Sequence, residues 1–396
     1  MLEPAGTGQP FPRAFLRIGG ASLAQHQLGL VLGLECQRLI CLARGPSPEL
    51  IALQHAAEGA GLRFHIVPGP QQLSALVTAT DELIVVTEGL FADWSRAATL
   101  LNSGGPSVVA LPDDGAVAEG FERLDINHAA AGVMKISGAL VDRLHDLPSD
   151  CDVVSALTRI ALQSGTPMRQ VPPDTRRGVN WRMVRSEGEA LAIEVEWLRA
   201  RLVIGSSAAP SDRLARAGVL SFGSSLLHAG NASGAVGAGA LLVLALAFGT
   251  AWLGSPVLAF VFIALAWVLA RATELLRSAE REAHNVSTPA IPRAHALGWL
   301  VDISIVAVCA LGLAAPPGWP AVDIEYRIFA PLMLVLMLHL APRLLADGFA
   351  AWTGDRALLG LLLAVAAALD HLGIAVRLLA VVLAVAAIVL PPRRLN

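Results

Sequence analysis

Polar and apolar positions follow two different regimes along this chain, and the change falls near Gly234. Up to about residue 200, short apolar runs punctuate a mixed sequence. Leu39-Ile40-Cys41-Leu42-Ala43, Leu83-Ile84-Val85-Val86-Thr87 and Val108-Val109-Ala110-Leu111 have the length and composition of buried strands. Between them lie helical patterns such as Pro48 to Gly61, which opens on Ser-Pro and closes on Gly. This alternation predicts an α/β domain with a mostly parallel sheet covered on both faces. Ligands of such sheets bind at the carboxyl ends of the strands. That marks Thr87-Glu88-Gly89 and the opening Ala5-Gly6-Thr7-Gly8 as candidate mouth residues.

From 235 to 391 the pattern is six apolar stretches: 235–253, 256–273, 298–316, 328–345, 356–371 and 374–391. The first carries no charge and can cross a hydrocarbon core as a helix. The last two are short and joined by Asp370-His371-Leu372-Gly373, a tight hairpin. With the N-terminal domain in the cytoplasm, the inner connections hold Arg271, Arg277, Arg281, Arg293, Arg343, Arg356, Arg393 and Arg394. The outer ones hold Arg327, with Arg377 near the start of the sixth stretch, so the positive-inside rule is satisfied. The prediction is an all-α, six-helix transmembrane domain with both termini in the cytoplasm.

Composition agrees with this division. Hydrophobic residues at 55%, charged residues at 15% and a mean hydropathy of +0.60 are too apolar for a purely soluble chain. A net charge of −3 argues against nucleic-acid binding, which needs a basic face. Lys135 is the only lysine and the other cations are arginines, as in GC-rich bacterial genomes. Cys36, Cys41, Cys151 and Cys309 form no CxxC pair, which speaks against a zinc site or a disulfide framework. No leader pattern opens the sequence, so the expected location is the bacterial inner membrane with a cytoplasmic N-terminal domain.

Inside the apolar half, Asp302 stands about one turn into its stretch. A carboxylate at that depth is either a functional site or an interfacial residue that caps the helix start. His339 and Asp370 lie near stretch ends and read as structural. Gly234-Ala-Val-Gly237-Ala-Gly239 reads as a helix-packing face of small residues and not as a phosphate loop.

Several short elements of the first half resemble sugar- and alditol-phosphate nucleotidyltransferases. Ala5-Gly6-Thr7-Gly8, Pro12-Arg13-Ala14-Phe15-Leu16 and Ile18-Gly19-Gly20-Ala21-Ser22-Leu23 stand in the order of that family's Gly-rich loop, Pro-Lys/Arg element and helix start. Leu83 to Phe91 resembles the strand ending in the metal-binding Asp, and Ala131 to Ile136 a later strand of the same fold. Trp181, with the Glu- and Leu-rich helix from Glu189 to Leu202, resembles the domain's end. The resemblance implies nucleotide binding by Gly6, Gly8, Arg13 and Glu88, with Glu88 at the metal position and Met183 where a second acid is expected. It also implies a strand leading into the Gly-rich loop, and few residues stand before Gly6 to form one.

A nucleotidyltransferase-like domain followed by six membrane helices is similar to the bifunctional inositol-phosphate cytidylyltransferase joined to a CDP-alcohol phosphotransferase. That membrane half carries D-x-x-D-G-x-x-A-R-(x8)-G-x-x-x-D-x-x-x-D, whose acids hold metal against the CDP pyrophosphate. Here Ala270-Arg271 and Gly298-Trp-Leu-Val-Asp302 match in place. The other acid positions are Ile263, Ala266 and Val306, the Gly position is Trp267, and the spacer is 26 residues. The implied site is Asp302 as the catalytic and metal residue, with Arg271 and Arg293 binding phosphate of a head group.

The expected domains are therefore 1–202, nucleotidyltransferase-like; 203–234, a linker and juxtamembrane segment; and 235–396, the membrane domain. The expected function lies in phospho-alcohol lipid synthesis, of phosphoinositol type, with weakened or lost catalysis. The partners would be CTP or a CDP-alcohol, Mg2+, membrane lipid and a second copy as a homodimer. A non-catalytic membrane pseudoenzyme that scaffolds a partner is the alternative, and a transporter is a third reading.

Overall fold

The computed structural model describes all residues except 1, 3, 6–10, 149–150, 177, 204–208, 229, 284–292, 314–323, 346 and 390–396. The chain divides into two compact units, Met1–Leu198 with Arg281–Val286, and Arg199–Glu280 with Ser287–Asn396.

The first unit is α/β. After a 3-10 turn at Arg13–Phe15 come β1 (Arg17–Ile18), β2 (Ala21–Ser22), α1 (Leu23–Gly33), β3 (Arg38–Leu42), α2 (Pro48–Gly59), β4 (Arg63–Val67), α3 (Pro70–Leu76) and β5 (Glu82–Val86). Then follow β6 (Leu90–Ala92), α4 (Trp94–Asn102), β7 (Ser107–Pro112), β8 (His128–Ser137), α5 (Val153–Gln163), β9 (Met168–Gln170), α6 (Pro173–Arg176), β10 (Trp181–Met183) and α7 (Glu187–Val203). The local signals are ordinary ones. Ser22 and Gln25 form a capping box on α1, and Ser47 caps α2 ahead of Pro48, as the sequence predicts.

The sheet arrangement corrects one expectation. β3 and β4 pair in parallel, but β8 lies antiparallel between β5 and β7, with β9 parallel to β7 at the far edge. The sheets are thus mixed and small instead of mostly parallel. An apolar run marks a strand as buried but does not give its direction, which the connections decide. β7 and β8 are buried along most of their length, with Val109, Leu111, Ala129 and Val133 facing α4 and Met134 and Ile136 facing α5.

Gly19 shows why the Gly-Gly turn between β1 and β2 is needed. Its φ is +64°, and a Cβ there would stand 2.7 Å from the Trp197 ring of α7. Its amide donates to the buried Glu194 carboxylate at 2.9 Å, which anchors α7 to the turn.

The second unit is helical: α8 (Pro210–His228), α9 (Ala232–Trp252), α10 (Pro256–Ala283), α11 (Arg293–Gly312), α12 (Ile324–Leu344), α13 (Asp347–Thr353), α14 (Arg356–Ala368) and α15 (Leu372–Val389). Helices stand at all six expected positions. Among the described residues four segments, Ala232–Trp252, Pro256–Ala283, Arg327–Leu344 and Leu372–Val389, are long and apolar enough to cross a membrane. The described apolar part of α11 and the 13-residue α14 are shorter than a full span. The stretch read as a linker contains α8. The small-residue run 234–239 lies within α9, where Gly237 faces Thr273 of α10 at close range. A dry interior built on Phe260, Ile263, Ile305, Leu334, Leu363 and Val376 holds these helices together.

Candidate functional site

Apolar helices bury a charge only where a partner accompanies it. Asp302 on α11 is 2% exposed and its carboxylate accepts from two helices. Arg356, the first residue of α14, donates Nε to Oδ1 at 3.1 Å and Nη2 to Oδ2 at 3.3 Å. His339 Nε2 of α12 lies 2.8 Å from Oδ2. The position of α14 fixes Arg356: Asp355 caps that helix by accepting from the amides of Ala357 and Leu358, and the Arg356 Nη1 reaches the Gly354 carbonyl at 2.7 Å.

Aromatic rings enclose the cluster. Trp299 stacks on His339 with centroids 4.7 Å apart. Trp267 of α10 lies between two guanidinium groups, Arg356 at 5.1 Å and Arg271 at 6.0 Å from its centroid. The Trp267 indole donates to Ser211 Oγ at 3.2 Å, and the Ser211 amide donates to Asp355 at 2.9 Å. Arg271 in turn donates Nε to Asp212 of α8 at 2.6 Å and Nη1 to Glu274. The sequence-predicted pair therefore falls in one neighbourhood, with Trp267 between, but Arg271 and Asp302 do not share a bond. Arg293 begins α11, and its side chain lies outside the described residues.

The remaining acid positions of the resemblance are core. Ile263 and Ala266 are 0% exposed within the apolar interior, and Val306 packs against it. Asp302 thus faces two nitrogen donors, and the neighbouring carboxylates of Asp355 and Asp212 are engaged by backbone amides and by Arg271. Among the described residues no group of three metal-ligating side chains occurs. Both Asp302 oxygens are engaged by donors of the protein, whereas Mg2+, a hard cation, takes free carboxylate oxygens.

In the α/β unit, Glu88 lies just past the carboxyl end of β5, and both its oxygens accept backbone amides. Leu2 donates to Oε2 at 2.7 Å and Ala14 to Oε1 at 3.1 Å. Arg13 is beside it and donates Nε to the Pro4 carbonyl at 3.2 Å. Gly89 has φ +85°, and a Cβ there would meet the Val184 carbonyl at 2.7 Å. β10 pairs antiparallel with β6, placing Met183 opposite Leu90, and the Met183 Sδ stands 3.5 Å from that same Cβ position. The position where the resemblance expects a second acid is thus brought to the Glu88–Gly89 turn, and a thioether occupies it. Arg13, Thr87 and Met183 line a cavity of about 200 Å3, smaller than the roughly 300–1,000 Å3 of ordinary ligand sites. Gly6 and Gly8 lie outside the described residues.

Sequence reasoning missed Arg356, Trp267, Asp212 and Asp355 as members of the helical cluster and treated His339 as structural. One signal was present: Asp355-Arg356 stands directly before an apolar run, the pattern of a capped helix start. No protein-family model matches the chain, and no curated protein matches it.

Proposed function

We propose that this protein is a membrane-bound, non-catalytic relative of the cytidylyltransferase–phosphotransferase fusion. In this reading it binds a nucleotide or a phospho-alcohol lipid and serves phospho-alcohol lipid synthesis as a regulatory or scaffolding subunit. Its α/β unit is nucleotidyltransferase-like and its helical unit spans a bacterial inner membrane six times, with the α/β unit in the cytoplasm.

One observation carries the proposal. The two carboxylates that a metal-dependent transferase would need are both held by donors of the protein itself, Asp302 by Arg356 and His339, and Glu88 by two backbone amides. A carboxylate so engaged is a structural acceptor, and drawing it away to a metal would leave the buried Arg356 without its partner. The pairing of β10 with β6 supports the same ancestry, because it places residue 183 beside Glu88 while supplying sulfur instead of oxygen. In this reading Arg13, which lies beside the Glu88–Gly89 turn, is the cation that would meet a phosphate.

The test is incubation of the purified full chain in detergent with radiolabelled CTP or a CDP-alcohol, Mg2+ and acceptor lipid. The expected result is no turnover, with equilibrium binding of nucleotide weakened by Arg13→Ala. Turnover that is abolished by Glu88→Ala or Asp302→Ala would overturn the proposal in favour of an active transferase.

A further inference from the structure

Two helices of the second unit carry an outward face that the buried cluster does not use. On α12, Leu332, Leu336, His339 and Arg343 follow one another at steps of four, three and four residues, so they share one side of the helix. Leu332 and Leu336 are exposed, and Arg343 is exposed at the end of the line. On α11, Trp299 and Ile303 stand one turn apart, and both are exposed. The Trp299–His339 stack sets these two faces side by side. Trp299 lies near the start of α11 and His339 near the end of α12, so the packed helices run antiparallel. Both faces therefore turn apolar in the same direction, toward Ile303 on one helix and Leu336 on the other.

At the polar end, His339 is held by one nitrogen. Its Nε2 lies 2.8 Å from Asp302 Oδ2, and a carboxylate paired with Arg356 has no proton to give, so Nε2 carries the hydrogen. The neutral ring then presents a lone pair at Nδ1, which has no partner among the described residues, on a side chain 30% exposed. Arg343 likewise has no hydrogen-bond or ion-pair partner among the described residues. Helical side chains lean toward the amino end, so its guanidinium reaches back over the turn that carries His339. A cation and an acceptor thus stand together where an apolar face begins. Trp299 beside them is a ring of the type enriched at the level of lipid head groups.

These groups match one class of occupant. From His339 back to Phe329, which is also exposed, α12 rises about 15 Å, the depth of one leaflet in a hydrocarbon core about 30 Å thick. An acyl chain fits that length, and a phosphate at its end meets the Arg343 guanidinium through paired N–H donors. The Nδ1 lone pair takes a donor, which a hydroxylated head group supplies and a methylated one does not. We infer that the groove between α11 and α12 holds one bilayer phospholipid with a hydroxyl-bearing head group. Its phosphate lies on Arg343, its hydroxyl on His339 Nδ1, and an acyl chain along Ile303, Leu336 and Leu332. This is a resident lipid on the outer face of the helices, not a reactant in the interior that holds Ile263 and Ala266. The inference rests on the reading above only in that the helices span a bilayer.

The test is equilibrium lipid binding by the purified full chain in detergent, read as quenching of tryptophan fluorescence by brominated acyl chains. Three lipids with the same chains are compared. Phosphatidylglycerol carries an anionic phosphate and hydroxyls, phosphatidylmethanol the same charge without a hydroxyl, and phosphatidylcholine neither a net charge nor a hydroxyl. Phosphatidylglycerol should bind about 5-fold more tightly than phosphatidylmethanol and about 30-fold more tightly than phosphatidylcholine. Arg343→Gln should weaken it about 10-fold and Arg343→Lys by less. His339→Phe keeps a ring against Trp299 without a nitrogen and should abolish the preference over phosphatidylmethanol. Arg343 is exposed and unbonded among the described residues, so its variants remain informative even where His339→Phe does not fold. Equal affinity for the three lipids, or unchanged binding by Arg343→Gln, overturns the inference. So does competition by glycerophosphoglycerol, the same head group without chains, at the strength of the lipid itself. CDP-alcohol turnover would overturn the functional proposal and leave the lipid preference intact, whereas extraction of the chain from membranes by alkaline carbonate would overturn both.

Discussion

The Arg356 guanidinium and the Asp302 carboxylate meet across 54 residues of sequence, through Nε–Oδ1 at 3.1 Å and Nη2–Oδ2 at 3.3 Å. Both side chains are nearly inaccessible, so the pair replaces hydration that neither could keep in an apolar interior. It also joins α11 to the start of α14, with His339 adding α12 to the same carboxylate.

Removing one partner should therefore cost more than removing both. Arg356→Met leaves a buried carboxylate with His339 alone and is expected to destabilise the helical unit by about 3–5 kcal/mol. Asp302→Leu combined with Arg356→Met should recover most of that loss, because neither charge of the pair is then left buried without its partner. Thermal unfolding of the four proteins of this cycle in one detergent measures the coupling. Additive losses would mean that the pair contributes nothing beyond its separate side chains.

Trp267 offers a second check on the cluster. Its ring faces the guanidinium groups of both Arg356 and Arg271, and its indole N–H holds Ser211. Trp267→Leu keeps an apolar side chain but removes the π face and the donor. The expected loss is about 1–3 kcal/mol. Trp267→Phe, which keeps a face without the N–H, should lie between, and the order of unfolding temperatures decides the matter.

Much of this architecture was legible in the sequence, and the reason is periodicity. The strand runs at 39–43, 83–87 and 108–111 and the six apolar stretches all fall on elements of the expected type. Strand direction was not legible, because β8 resembles a parallel core strand in composition while lying antiparallel. Asp302 could be singled out, since a charge in an apolar helix announces itself. Its partners could not, because Arg356 and His339 sit near helix ends where arginine and histidine are common, and only packing brings them 54 and 37 residues across the chain. Met183 was visible as a departure from an acid, but its nearness to Gly89 depends on the β6–β10 pairing.

Gly19 is expected to tolerate no side chain. Its positive φ acts together with the Trp197 ring, which stands 2.7 Å from where a methyl carbon would sit. Gly19→Ala should destabilise the α/β unit by about 2–4 kcal/mol, from backbone strain plus overpacking. Pairing it with Trp197→Leu should relieve the overpacking part and leave the strain. Denaturant unfolding of the single and double variants separates the two.

Burial decides the behaviour of the Cys41 thiol. Its desolvation on β3 pushes the pKa up to about 12, and burial raises that of Cys36 as well. The nucleophile in alkylation is the thiolate, so Cys41 should stay unmodified by iodoacetamide at pH 8 in the native protein and react fully after unfolding. Mass mapping of the modified cysteines gives the result directly. Rapid native labelling of Cys41 would mean that the sheet edge opens readily.

Acid should loosen the clasp between β3 and β5. Bonds from Thr78, then from Arg38, hold the Asp81 carboxyl below its ordinary value. A carboxyl more acidic in the folded than in the unfolded chain contributes stability that is complete above the unfolded value, about 3.9, and is lost as pH falls through the lowered one. Wild-type protein should therefore lose stability below about pH 4 more steeply than Asp81→Asn, which has no such proton to bind. Asp81 is exposed, so the difference will be modest and should shrink in high salt, where the Arg38 attraction is screened. Unfolding midpoints of the two proteins from pH 6 downward, at low and high ionic strength, test this. Parallel acid curves would show that Asp81 holds the loop only by its Thr78 bonds, in a form that protonation does not disturb.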